Sequence, residues 1–314
     1  MLIILILASG PLMASQWGFI DTTGRLVIAP QFDDVRDFSE GLAEVRLDTL
    51  WGFTDTAGRV VIKPQFRFAG AFHNHRALVL DQNRYGFIDT LGVMVIPAKY
   101  EMVMPFSEGL ASVKMPGKQL GYIDVSGQDV IPAQFLYAGQ FREGLARVGG
   151  GTGYGFIDHT GKAVVAPQYI QAGDFSNGRA LVGTDSEVGY INRAGGTVFP
   201  MVLTGGADFS EGLARIRIGE YWGFIDTAGN PVIAPMLGKV QDFSEGLAAF
   251  ARSWAPDTIG YMNRFGKAVI EPRFKAAQPF HDMTIGLTQQ GWSAARTRMR
   301  TAAGRTSQSH DVCG

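Results

Sequence analysis

One phrase governs this chain. Trp17-Gly18-Phe19-Ile20-Asp21-Thr22-Thr23-Gly24 returns as Trp51-Gly52-Phe53-Thr54-Asp55-Thr56-Ala57-Gly58, and eight copies align, starting at Trp17, Trp51, Tyr85, Leu120, Tyr154, Val188, Trp222 and Ile259. The steps between starts are 34, 34, 35, 34, 34, 34 and 37 residues. Within each copy the first residue is followed by Gly, a second Gly comes seven places after the start, a large apolar residue eight places later (Phe32 in the first copy), and a Phe six further on (Phe38). All variation in length falls between that Phe and the next start. Such a register describes an array of equivalent units, with insertions confined to one connection per unit.

Each copy reads as β structure. Phe19-Ile20 and Leu26-Val27-Ile28 flank Asp21-Thr22-Thr23-Gly24, where Asp can cap backbone amides two residues on and Gly can take positive φ, so the segment predicts a hairpin. The same turn pair recurs as Asp55/Gly58, Asp89/Gly92, Asp124/Gly127, Asp158/Gly161 and Asp226/Gly229. Pro30, Pro64, Pro97, Pro132, Pro167, Pro200, Pro235 and Pro272 are expected to end the second run, because Pro donates no ladder hydrogen bond. After Phe38-Ser39-Glu40-Gly41, the run Leu42–Leu47 alternates Ala43, Val45 and Leu47 with Glu44 and Arg46, which predicts a half-buried third strand. The expected fold is therefore all-β: eight tandem three-stranded units of about 34 residues, stacked as an open solenoid because a lone unit cannot bury its apolar face. A closed, propeller-like ring is the alternative; it is disfavoured because propeller blades use four strands in about 40–45 residues.

The repeated sequence of Trp or Tyr, Gly, an aromatic, Ile or Thr, Asp or Asn, two variable residues and Gly, followed by Val and Pro and then Phe-Ser-Glu-Gly-Leu-Ala, resembles the WG-repeat family of bacterial proteins. The resemblance covers about residues 17–285. It implies a β-rich repeat scaffold, often exported, and carries no catalytic residues.

Composition narrows the function. The net charge is −1, so no global field draws the chain to nucleic acid or an anionic membrane. Glycine supplies 41 of 314 residues, nearly twice its usual share of about 7%, as a chain full of turns requires. Cys313 is the single cysteine, which excludes intrachain disulfides and Cys-cluster metal sites. Residues 1–15 read as a signal peptide: an apolar run, Met1–Ala8, precedes small residues at Ser9, Gly10 and Ala14, though no basic residue precedes it. The run is too short for a stable membrane anchor. The expected location is secreted or periplasmic, with a cytoplasmic protein as the alternative if translation starts at Met13. Residues 16–290 form the array and 291–314 a disordered tail rich in Arg, Ala, Thr and Ser.

No residue set points to catalysis. The repeated turn carboxylates are too sparse for a calcium loop and are read as turn caps. His73 and His75 alternate, but His75 occupies the place of Gly41, where a residue must take positive φ. No nucleophile elbow or phosphate loop occurs, and Gly149–Gly153 reads as a flexible loop. Leu120, Val188 and Ile259 replace the repeat-leading aromatic, which keeps apolarity without a π face and predicts core packing. Trp254 differs, lying in the longest insertion, Arg252–Thr258, either as a binding anchor or as a lid on the last repeat. The sequence thus predicts a non-enzymatic scaffold without cofactor or metal, binding an unidentified protein through its variable connections. Asn83, Lys118, Asp185, Trp254 and Asp257 are the candidate contacts. The alternative is a carbohydrate or cell-wall binding module using exposed aromatics.

Overall fold

Antiparallel strands follow one another in simple meander order, as short Gly-punctuated runs of alternating polarity dictate. In the computed structural model, the described residues are 3–7, 16–21, 25–277, 284–288 and 295–298. Contacts divide the chain into two compact units, Met1–Phe209 and Ser210–Gly314. Among the described residues every regular element is a strand.

The repeating sheet has four strands, not three. In the first unit the sheet spanning residues 34–66 runs Asp34–Val35, Leu42–Leu47, Leu50–Asp55 and Val60–Phe66. Four more of the same order follow, ending at Leu203. The strand missed in the sequence is two residues long in three of these five sheets, too short to show alternation. Each sheet also straddles a repeat boundary, taking its first two strands from one copy and its last two from the next. In the second unit one strand, Pro231–Val240, pairs with Tyr221–Asp226 through its first part and with Leu247–Arg252 through its last, joining two such sheets into one.

Three further expectations, on Pro30 and Pro64, on the burial of the second strand and on Gly149–Gly153, are corrected. Pro30 and Pro64 do not end their strands, which continue to Phe32 and Phe66. Each lies on the outermost strand of its sheet, where a missing N–H breaks no ladder. The second strand is not half-buried: Glu44 is 1% exposed, like Ala43 and Val45 on the opposite side, because sheets pack on both of its faces. Gly149–Gly153 is not a loose loop, since Leu145–Gly150 pairs with Gly153–Ile157 and only Gly151 and Thr152 form the turn. Ile3–Leu7, inside the proposed signal peptide, pairs with Gln16–Ile20 as the second strand does in other sheets. Ala295–Arg298, inside the proposed tail, pairs with Thr284–Thr288. Residues 8–15 and 299–314 lie outside the described residues, as does Gly24.

Neighbouring sheets interlock through aromatic pairs. In the first seven repeats the ring two places after the start meets the Phe nineteen residues further on, as in Phe53 with Phe72 (4.8 Å), Phe156 with Phe175 (4.8 Å) and Phe224 with Phe243 (4.8 Å). The repeat-leading residue is buried at Trp51, Leu120 and Val188 and half-buried at Trp17, Tyr85, Tyr154, Trp222 and Ile259. The Gly after it is a close approach: a Cβ on Gly52 would lie 2.3 Å from the Ile62 carbonyl oxygen and 2.5 Å from Pro64 N, at a bulge between the third and fourth strands.

Candidate functional site

The meander order sends the connection between strands one and two, and that between three and four, to one end of every sheet. The connection between strands two and three lies at the other.

The first end is occupied with holding the array together. Ser39 and Leu42 exchange backbone hydrogen bonds around Glu40 and Gly41, both at positive φ (51° and 82°), which is a two-residue type I′ turn. Glu108, Glu143, Glu211 and Glu245 hold φ of 51–53° at matching places. Glu is a poor residue for that conformation, and its reach explains it: Glu40 Oε2 accepts from His75 N (2.8 Å), Glu108 from Gly144 N (2.9 Å), Glu143 from Gly178 N (2.7 Å) and Glu211 from Gly246 N (2.9 Å). Each carboxylate therefore binds the equivalent turn of the next sheet. The preceding Ser adds a parallel bond, Ser39 Oγ to the Phe72 carbonyl (2.6 Å), Ser107 to Phe141 (2.7 Å), Ser176 to Phe209 (2.7 Å) and Ser210 to Phe243 (2.8 Å).

The Asp turns share this end. Asp55 Oδ1 accepts from Ala57 N (3.0 Å) and Arg59 N (2.9 Å), and Asp89, Asp124, Asp158 and Asp226 repeat the pattern. These bonds hold four of the carboxyls below the usual range: chiefly the Arg59 amide for Asp55, the Ser126 hydroxyl for Asp124, the Thr160 hydroxyl for Asp158 and the Asn230 amide for Asp226. Gly58 closes its turn at φ 84°, and Gly92, Gly127, Gly161 and Gly229 lie at 83–88°. His75 takes φ 59° and faces Glu40 at 3.5 Å. His159 stacks on Phe141 at 4.3 Å and reaches Glu108 Oε2 at 3.2 Å. Among the described residues no group of three or more His, Cys, Asp or Glu could hold a metal ion.

Partly buried arginines add bonds between the sheets. Arg36 donates to the Ala69 carbonyl (3.0 Å), stacks on Trp51 and pairs with Glu44 at 3.6 Å. Arg215 donates to the Val240 carbonyl (3.1 Å) and pairs with Asp242 at 2.9 Å. Burial pushes the carboxyls of Glu44 and Asp242 up, and the arginines only partly offset it.

The second end carries the candidate contacts. Asn83, Lys118, Asp185 and Trp254 all lie in connections between second and third strands, exposed to solvent. Asn83 also has a conformational role, at φ 66° beside Gln82 at 44°. The Arg252–Thr258 insertion is not a loop: Arg252 pairs with Ala255, leaving Ser253 and Trp254 as the turn, and Asp257 lies exposed within the strand Ala255–Asn263. Trp254 is 75% exposed, which rules out a lid. It borders a cleft of about 390 Å³ lined by Glu220, Tyr221, Gly238, Ser253, Trp254 and Pro256. Tyr221, half exposed, and Gly238 were missed in the sequence. A signal existed: Tyr221 is the only aromatic immediately before a repeat start, and Gly238 the only Gly immediately after the large apolar residue.

The fold and both ends define an all-β tandem-repeat protein whose units are four-stranded meanders. The WG containing repeat matches at residues 17–49, 51–83, 85–118, 121–149, 154–186, 189–222, 222–251 and 259–282, and the chain belongs to that family. No curated protein matches it in sequence. Its fold is similar to that of a structure titled crystal structure of the eukaryotic initiation factor, at 13% identity and TM-score 0.54, over 83% of this chain and 84% of that one. Weaker similarities include BamB from Moraxella catarrhalis (11% identity, TM-score 0.45, 81% and 97% covered) and the computationally designed Ika8 protein (11%, 0.45, 84% and 95%).

Proposed function

We propose that the chain is a non-catalytic scaffold that binds another protein through the connections between second and third strands. The carrying observation is the division of labour between the two ends of the sheets. One end repeats Ser, Glu, Asp and Gly to bind sheet to sheet, while the other varies in length and chemistry around exposed Asn83, Lys118 and Asp185. Binding residues concentrate on connections held by a rigid frame. Photo-crosslinking residues at positions 83, 118 and 185, compared with positions 56 and 91 on the opposite end, test this in the producing cell. Adducts to one protein from the first set alone support the reading; adducts from the second set alone, or from neither, overturn it.

The scaffold acts outside the cytoplasm in this reading, supported by the apolar start and the small residues after it. Fractionation and mature N-terminal sequencing test it: a mature chain that begins within residues 9–16 supports export, whereas retention of Met1 in the cytosol overturns it. Open stacking of the sheets and closure into a ring are separated by small-angle scattering. A radius of gyration well above the globular value of about 20 Å supports the open stack, and a value near it supports the ring.

A further inference from the structure

Three positions that break the repeat's rule meet in one place. Tyr221, Gly238 and Trp254 come from three different points of the repeat, and each is a residue type that no other copy has at its position. All three line the same cleft of about 390 Å³ in the second unit. The remaining copies carry Asp33, Arg67, Glu101, Leu136, Ile170, Thr204 and Lys275 where Gly238 stands. The backbone at Gly238 is also close-packed, since a Cβ would lie 3.1 Å from the Arg252 carbonyl oxygen.

We propose that this cleft binds an uncharged oligosaccharide built of pyranose units. Trp254 and Tyr221 offer exposed rings on which the C–H face of a pyranose can stack. Polar groups suited to sugar hydroxyls lie at the same rim: the Glu220 carboxylate accepts, and the Ser253 hydroxyl both donates and accepts. Charge selects against an anionic sugar, because Glu220 lines the cleft and Arg252, over the Trp254 ring at 5.4 Å, is already bound to Glu271 at 2.8 Å. The lining around the two rings is Gly, Ser, Glu and Pro, without the aliphatic pocket that an apolar protein anchor fills.

The test titrates the full chain with cellotetraose and with tri-N-acetylchitotriose by calorimetry, and with a proline-rich peptide as the competing class. The expected result is saturable binding of at least one saccharide, weakened about tenfold or more by Trp254→Ala and by Tyr221→Ala. Trp254→Phe, which keeps a ring, retains most of the affinity. Exposure of Trp254 makes its removal harmless to folding, and an unchanged melting temperature verifies that. No saturable binding up to about 10 mM, beyond the weak end of specific affinities, overturns the proposal. So does binding that survives Trp254→Ala, or binding of the peptide in place of both saccharides. Failure here leaves the crosslinking test of the protein-binding end unaffected, because that test reads positions in the first unit.

Discussion

The two ends of the sheets do opposite work, with two connections of each four-stranded sheet at one end and one at the other. At the Ser-Glu-Gly end the turns at Glu40, Glu108, Glu143, Asn177 and Glu211 are tied to the next sheet by a Glu carboxylate, a Ser hydroxyl or both, while the Asp turns beside them cap their own amides. At the other end the turns close on themselves: Gln82 and Asn83 turn within one hairpin, and Thr184 N bonds Glu187 of its own connection. The difference teaches where regularity is enforced. A turn that must bond a partner 35 residues away cannot change length or composition freely, whereas a turn with no such partner can.

Substitutions can break this contrast. The largest effect is expected from Gly58→Val, which puts a β-branched residue at φ 84° with its Cβ 3.1 Å from the Ile28 side chain of the preceding sheet. Strain and overpacking together predict about 3 kcal/mol of lost stability; denaturant unfolding measures it, and no loss would refute the packing of this turn. The double change Ser107→Ala and Glu108→Ala removes two bonds to the next sheet, and at about 1 kcal/mol each should lower stability by about 2 kcal/mol. His75→Gly relieves a positive φ while keeping the amide that Glu40 accepts, so it should raise stability by about 0.5–1 kcal/mol. Lys118→Ala and Asp185→Ala, at the other end, should change it by less than about 0.5 kcal/mol. A loss above about 1 kcal/mol from either would erase the contrast.

Acid sharpens the same comparison. Asp55, Asp124, Asp158 and Asp226 titrate below the usual range when folded, and near about 3.9 when unfolded. Their stabilisation is thus complete above that pH and is lost as pH falls through it toward the folded values. Urea unfolding from pH 6 down to about pH 3 should show this loss, and converting all four to Asn should reduce it. Asn192 and Asn263 already cap the same turns with the same pair of bonds.

Much of the fold was legible because its chemistry is local. Asp55 and Gly58 form their turn within four residues, and that spacing is visible in any single copy. Asp34–Val35 was not legible, since two residues carry no alternation. Glu40 was read as part of a turn and its partner missed, because a bond to residue 75 leaves no local pattern. For the cleft, Trp254 stood out by lying in an insertion, whereas Tyr221 and Gly238 stand out only when the copies are aligned and their exceptions compared.

Because each complete sheet takes two strands from one copy and two from the next, the gene can gain or lose whole copies with little regard to where the break falls. Removing any 34-residue stretch in step with the repeat joins two half-sheets of the same pattern and regenerates a whole one. Recombination between copies therefore changes the size of the array without first having to find a boundary. The copy bearing Tyr221 and the one bearing Trp254 are the exception, since a crossover between them would separate residues that only together make a cleft.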